Sequence, residues 1–567
     1  AAAAGWDPKV VTPCPDGDAS PGWIGIKCQG QGDNPKPWHV EVIELDRGLP
    51  GVETCSGNNI TGYLPASFDG VPSLTTFKVA GPVPQCAGSP GVQCDGNLPD
   101  RCLDGIGQLS GTLPSLPANA AVFGVYDTQL SGTLPTALPS SATLGLGLQN
   151  LLLGNNRLSG TVPWETVPTK LKQLELRDNV ELSGTLAKDA FVSADAMIDL
   201  SMFNTQLSGT VPRLPASLQK LQLHKNGLTV FPSYLDVLVN LQWLTLDARF
   251  RGAGERDRIP EVIQYMKSLT MLKMSAGQWS GEIPTWLGDL TDLTVLELFD
   301  NLLTGTIPDS LCNLKQLTKL LASNNVLTGG IPKCLGELKS LEQLWLNHNE
   351  LSGEIPQELS RLSQIFEMPM NNNRLTGILP SELGQLQRLT KLMVNDNLLS
   401  IDGSTMDDWL PSLSELTEIS LSRNAEIRTL PRTSMARLSK LTQVEISGSF
   451  KPNSMALDIH LPTSLQTLDL AGNNFSGTAT IPDSWDSLSE LNYLDLSNCS
   501  LSDNFDARGF LAKQAKLEVL LLSANKLTRV PQNLFRLNLR TLDLGYNQIA
   551  QSMTDTMLGI APGVNRD

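Results

Sequence analysis

The chain has 567 residues, with 42 Lys+Arg against 58 Asp+Glu, a net charge of −16. Its 41% hydrophobic content and 18% charged content exclude a disordered polymer; the acidic balance argues against nucleic acid as a partner. The most apolar run, Leu144–Leu153, is too short and too interrupted to span a membrane. At roughly 100–200 residues per domain the length suggests three to five domains, yet Leu, Gly, Asn, Ser and Pro are spread evenly from end to end. An even composition over such a length points to one long repeat.

In chain order, residues 1–39 precede the repeat, residues 40–550 carry about 20 repeating units, and residues 551–567 form a tail. Leu269, Leu293, Leu317, Leu341, Ile365 and Leu389 are each 24 residues apart. The unit is clearest as Leu341-x-x-Leu344-x-Leu346-x-x-Asn349-x-Leu351-Ser-Gly-Glu-Ile355-Pro356. Leu344-x-Leu346 alternates with period two and predicts a short strand with both Leu side chains on one face. Asn349 falls where the chain must turn. The column Asn301, Asn325, Asn349, Asn373 and Asn397 predicts an amide ladder bonded to the backbone of neighbouring coils. Gly353 permits a bend and Pro356 fixes φ in the return segment. A single unit cannot bury its own Leu face, whereas stacked units can. The predicted fold is an α/β solenoid, a right-handed superhelix with a parallel concave β-sheet.

Several segments depart from the pattern. An irregular, Cys-rich insertion at 81–107 carries Cys86, Cys94 and Cys102, with Cys55 just upstream. Two disulfides are expected in that group, with three connectivities open; with no CxxC and four His in the chain, zinc is a poor alternative. The coil from Leu241 to Leu269 is four residues longer than standard, and its loop at 247–267 holds Arg249, Arg251, Arg256 and Arg258. That loop is read either as a solvated insertion with internal ion pairs or as a grip for an acidic partner, such as a sulfated or uronic polysaccharide. Ile401–Leu413 is a further insertion to which no chemistry is assigned. Cys499 occupies a ladder position and reads as a buried free thiol.

No catalytic constellation is found. His39, His224, His348 and His460 lack a nucleophile motif, and HExxH, GxSxG and P-loop signatures are absent. The acids Asp407 and Asp408 read as solvated surface in a loop. No metal or cofactor is expected. The concave sheet is instead read as a binding surface. Its exposed column is expected to run through Glu175, Asp199, Gln222, Thr245, Lys273 and Glu297, and later through Glu445, Asp469, Asp495 and Asp543. Between these polar stretches stand Leu321, Trp345, Pro369 and Met393, with Trp243, Phe299 and His348 nearby. Strands about 4.8 Å apart would join these into one apolar patch, which reads as an interaction hot spot. The distal acids would repel an anionic ligand.

The pattern LxxLxLxxNxLxGxIP, repeated in register ten times or more, resembles the plant-specific leucine-rich repeat. Leu303–Pro308, Leu327–Pro332 and Leu351–Pro356 match it closely, and Leu109–Pro114, Leu130–Pro135, Leu158–Pro163 and Leu207–Pro212 use the variants LSGTLP and LSGTVP. Trp6, Cys14 and Trp23-Ile-Gly-Ile-Lys-Cys28 resemble the family's amino-terminal cap, which implies a Cys14–Cys28 disulfide and a disulfide-bonded cap over 1–39. The family's usual helix before this Trp is absent, and the chain reads as a mature or trimmed product. The spacing of Cys312 and Cys334, in successive return segments, resembles a pair common in plant-type repeats and implies a second bridge. The tail lacks a closing cysteine pair.

Cysteine clusters and the cap imply an oxidising, secretory location: secreted, extracellular or at the cell surface. Three glycosylation sequons, at Asn59, Asn474 and Asn498, agree with that location without establishing it. The resemblance extends to receptor ectodomains and to secreted inhibitors of wall-degrading enzymes. It implies a non-enzymatic recognition protein with a protein, peptide or polysaccharide ligand and no nucleic acid or membrane span. The alternative is a structural scaffold in an extracellular assembly, with subunits at its carboxyl-terminal edge. Ice binding, known for some relatives, is a minor alternative because the concave column is irregular and charged.

Overall fold

The computed structural model describes residues 120–549 apart from 139–146, 247–257, 430, 449–456, 458, 474, 476–479 and 508, together with 109–113, 116 and the strands Ile26–Gln29, His39–Leu45, Gly62–Tyr63 and Thr76–Ala80. The chain divides into two compact units, Ala1–Gly277 and Gln278–Asp567. Both are leucine-rich-repeat solenoids, built coil by coil from the unit read in the sequence.

The coil from Leu341 shows how the sequence makes the structure. Leu344 and Leu346 flank Trp345 in the strand Gln343–Trp345 and are fully buried, as period-two alternation demands. The chain then turns at His348, which takes a left-handed φ of 55°. The same position is left-handed at Asp300, Asn324, Asn372 and Asp396, so the turn recurs at each coil. A second strand, Ser352–Glu354, follows, with Gly353 at φ 77°. Pro356 then opens a 3-10 turn, Gln357–Arg361, closed by the Leu359 N–H donating to the Pro356 carbonyl at 3.1 Å. Proline suits this place because its fixed φ starts a helical turn and its missing N–H would have no partner there. Neighbouring 3-10 turns pack so closely that a Cβ on Gly336 would lie 2.0 Å from the Glu358 carbonyl oxygen.

The Asn ladder forms as predicted. In the Asn373 coil the amide oxygen accepts the Leu351 N–H at 3.0 Å, while Nδ2 donates to the Leu346 carbonyl at 2.9 Å and the Met370 carbonyl at 3.1 Å. Asn325, Asn349 and Asn397 repeat this arrangement. Each amide thus satisfies backbone groups of two coils inside the stack. Cys499 takes the ladder position as a buried free thiol, its Sγ donating to the Leu470 carbonyl at 3.1 Å.

In the first unit the concave strands pair in parallel, from His39–Leu45 through Thr76–Ala80, Val122–Tyr126 and Asn150–Leu152 to Trp243–Thr245 and Met271–Lys273. The antiparallel pair Ile26–Gln29 and His39–Leu45 begins the sheet. The register corrects the expected concave column. Ser201, not Asp199, pairs with Glu175, and Asp199 pairs with Gln173 two residues earlier on the same face. A second parallel sheet runs beside the first. Its strands are the Leu-Ser-Gly-Thr segments, among them Gln129–Thr133, Arg157–Thr161, Glu181–Thr185 and Gln206–Thr210. The glycine in these segments, expected only to permit a bend, thus lies within a paired strand.

In the second unit the concave strands are Val295–Glu297, Lys319–Leu321 and Gln343–Trp345, then Lys391–Met393, Glu418–Ser420, Gln443–Glu445, Thr467–Asp469, Tyr493–Asp495, Val519–Leu521 and Thr541–Asp543. The regular ladder lapses at the coil between Gln343–Trp345 and Lys391–Met393, where Glu367 alone bridges both neighbours. Pro369 is the reason: it accepts the Leu346 N–H at 3.1 Å but has no N–H to give in return. The insertion Ile401–Leu413 holds an α-helix, Gly403–Trp409, capped by Asp402, whose Oδ1 accepts the Ser404 N–H at 3.0 Å. Asp407, expected to be solvated loop surface, sits on this helix. It accepts the N–H groups of Arg432, Thr433 and Ser434 at 2.9–3.1 Å. Burial acts to raise its carboxyl, but these bonds outweigh it and hold the group below the usual range.

Cys312 and Cys334 form a disulfide between successive 3-10 turns, Asp309–Asn313 and Lys333–Glu337, with their Cα atoms 5.7 Å apart. Cys14, Cys55, Cys86, Cys94 and Cys102 lie outside the described residues, and of Cys28 only the strand backbone is described, so the cap bridge and the upstream pairs are not part of this description. Arg249, Arg251 and Arg256 of the basic loop also lie outside, while Arg258 is exposed.

Candidate functional site: the concave face

The concave face of the second unit is set out by strand alternation. In each coil the residues flanking the strand Leu point away from the core. Three columns result: Gln343, Glu367 and Lys391; Trp345, Pro369 and Met393; and Asn347, Asn371 and Asn395.

The structure places Phe299, Trp345, Pro369 and Met393 on this unit, each half-buried. The Phe299 and Trp345 rings stand 6.4 Å apart, tilted by 53°. They come from coils on either side of Leu321, which pairs in register with Glu297 and Trp345. Leu321 is 6% exposed and is buried, so it does not belong to the exposed patch expected of it. His348 is exposed, but it lies in the left-handed turn that ends the strand. Trp243 belongs to the first unit. There its indole N–H donates to Thr245 Oγ1 at 2.9 Å, and the Lys220 ammonium lies 5.0 Å from its ring centroid.

Trp345 is held in place. Its Nε1–H donates to Glu367 Oε2 at 3.1 Å, and Gln343 Nε2 donates to the same oxygen at 2.7 Å. Glu367 is a site residue that the repeat motif alone does not mark; its position 24 residues after Gln343 is the available signal. Beside the apolar strip, the amide oxygens of Asn347, Asn371 and Asn395 are buried without a hydrogen-bond partner.

Charge along the face is graded. Lys391 pairs with Glu418 at 3.1 Å. Arg423 clasps Asp396 through Nε and through an NH2 group at 2.8 Å, and this bonding holds the Asp396 carboxyl below its ordinary range. Further along stand Glu445, Asp469 and Asp495 on successive coils. Burial raises the Asp469 carboxyl above its usual range, with Asp495 and Glu445 adding to the rise and the Ala471 N–H opposing it. Burial, with Asp495, Asp469 and Glu445, pushes the neighbouring Tyr493 phenol up to about 12.

The chemistry is that of a shaped surface. Among the described residues no group of three or more His, Cys, Asp or Glu could hold a metal ion, and no helix is long and apolar enough to cross a membrane.

Comparison with known proteins agrees with this anatomy. Residues 276–450 match the family model of a leucine-rich repeat region, and residues 464–488 match that of a single leucine-rich repeat. No curated protein sequence matches the chain. Among solved structures, the plant peptide hormone receptor RGFR1 in complex with RGF2 is 26% identical with a TM-score of 0.67, over 90% of this chain and 81% of that one. The ectodomain of the Arabidopsis receptor kinase HAESA, in complex with an IDA peptide hormone, is 26% identical with a TM-score of 0.57, over 76% of this chain and 75% of that one. PEPR1–AtPEP1, 24% identical with a TM-score of 0.58 over 96% and 80%, shares the fold. The chain folds as a leucine-rich-repeat solenoid and resembles the ectodomains of plant receptors.

Proposed function

We propose that the protein is a non-enzymatic recognition module, secreted or displayed at the cell surface, which binds a peptide or protein on the concave face of its second unit. The observation that carries this reading is the half-buried apolar strip of Phe299, Trp345, Pro369 and Met393, with Trp345 braced by Glu367. An aromatic anchor fixed in one orientation on a sheet with polar surroundings loses little entropy on binding and suits a hot spot. That RGFR1 and HAESA are each in complex with a peptide hormone supports a peptide ligand over a polysaccharide. The Cys312–Cys334 bridge supports an oxidising compartment. Asn498, exposed on a left-handed turn, is positioned to carry a glycan, whereas Asn59 and Asn474 lie outside the described residues.

The test is binding. Panning the intact chain against a displayed library of random linear peptides should enrich binders whose affinity collapses in Trp345→Ala. Binders indifferent to Trp345→Ala would remove the concave strip as the site and leave the scaffold reading in its place.

A further inference from the structure

We propose that the concave face of the second unit takes a linear peptide of about nine or ten residues, apolar at one end and cationic at the other. Its apolar end lies over Trp345 and its Lys or Arg residues lie over Glu445, Asp469 and Asp495. This rests on the peptide-recognition reading above and assigns the ligand's chemistry and order.

Charge complementarity selects the cationic end. Glu418 and Asp396 are already neutralised by Lys391 and Arg423. Glu445, Asp469 and Asp495 have no ion pair with a described residue. Their hydrogen-bond partners are neutral, although the Arg423 guanidinium, bonded to Asp396, acts on Glu445 and Asp469 through space. Glu445 accepts from Gln443 at 2.6 Å and Ser420 at 3.1 Å, Asp469 from the Ala471 N–H at 2.9 Å, and Asp495 from the Ser497 N–H at 2.8 Å. Three carboxylates on adjacent coils repel one another, and a ligand cation relieves that repulsion while an anionic glycan would add to it.

Spacing sets the length. From Trp345 the face steps through Pro369, Met393, Ser420, Glu445 and Asp469 to Asp495. Six steps of about 4.8 Å span roughly 29 Å, which an extended chain covers in about nine residues. Met393 and Glu445 are two steps apart, so the first cation should stand about three positions along from the last apolar anchor.

The experiment pans the intact chain against a random linear dodecapeptide library, then measures the enriched peptides on two variants. One is Trp345→Ala. The other combines Glu445→Gln, Asp469→Asn and Asp495→Asn, which removes charge but keeps an amide oxygen for each internal donor; circular dichroism checks that both variants fold. The expected peptides carry Lys or Arg on one side of an apolar cluster, and their affinity falls roughly tenfold to a hundredfold in the triple variant, with a weaker dependence on salt. Peptides without cation bias, equally bound by the triple variant yet lost on Trp345→Ala, would overturn the proposed ligand chemistry and leave concave-face recognition standing. Enriched peptides that still bind Trp345→Ala, or no enrichment at all, would overturn both.

Discussion

Trp345 and Glu367, one coil apart, are joined by a 3.1 Å hydrogen bond from the indole N–H to Oε2. The bond fixes the ring that is proposed to anchor the ligand. Glu367→Ala should weaken binding of a Trp345-dependent peptide about fivefold, the value of one net hydrogen bond, whereas Glu367→Gln keeps an acceptor and should restore most of it. Titration calorimetry with a library-derived peptide checks this, and equal losses in both variants would point to charge instead of orientation.

Asn373 tests the ladder. Asn373→Ala removes the acceptor for the Leu351 N–H and the donor to two carbonyls inside the stack. Leaving a buried N–H unsatisfied costs about 1–3 kcal/mol. Lys315→Ala, at an exposed site whose ion pair with Glu337 is equally exposed, should cost a few tenths. Urea denaturation of the two variants should differ accordingly.

The Cys312–Cys334 bridge closes a loop with a sequence separation of 22. Chain entropy assigns such a loop about 3 kcal/mol. The double variant Cys312→Ser/Cys334→Ser should lower the urea midpoint of the second unit by a matching amount, and mass spectrometry without reduction should recover the two peptides linked.

His224 stacks on Phe203 with ring centroids 4.2 Å apart. Burial, together with Lys225 and Lys273, lowers its pKa to about 4. The folded state therefore resists a proton that the unfolded chain accepts near 6.5. Stability from this group is fully present above pH 6.5 and is lost as pH falls from about 6.5 towards 4, by on the order of 3 kcal/mol at most. His224→Asn should flatten the pH dependence of unfolding of the first unit in that window; an unchanged slope would show that His224 is not its source.

How legible was this molecule in its sequence? The coil, its Leu core, the Asn ladder and the Cys312–Cys334 pair follow from spacing and family resemblance because each repeats or answers a repeat. What the spacing hid was lateral. Alternation alone makes Leu321 exposed, yet between its register neighbours Glu297 and Trp345 it is buried. Asp199 stands two residues before the true column residue, Ser201, because Met202 occupies the place where a Leu marks the register elsewhere. The Leu-Ser-Gly-Thr segments read as bends, since a glycine inside them signals a turn until neighbouring copies are seen to pair. Asp407 read as surface because its three N–H partners are 25–27 residues away in sequence.

Pro369 has one more effect. Amide protons on coils joined by an unbroken ladder are released together, whereas a coil that gives no N–H back to its neighbour loosens the coupling between the blocks on either side. In hydrogen–deuterium exchange the second unit should therefore report two cooperative blocks that meet at this coil. The floor of the proposed apolar anchor and the acidic column would then protect and open as separate bodies.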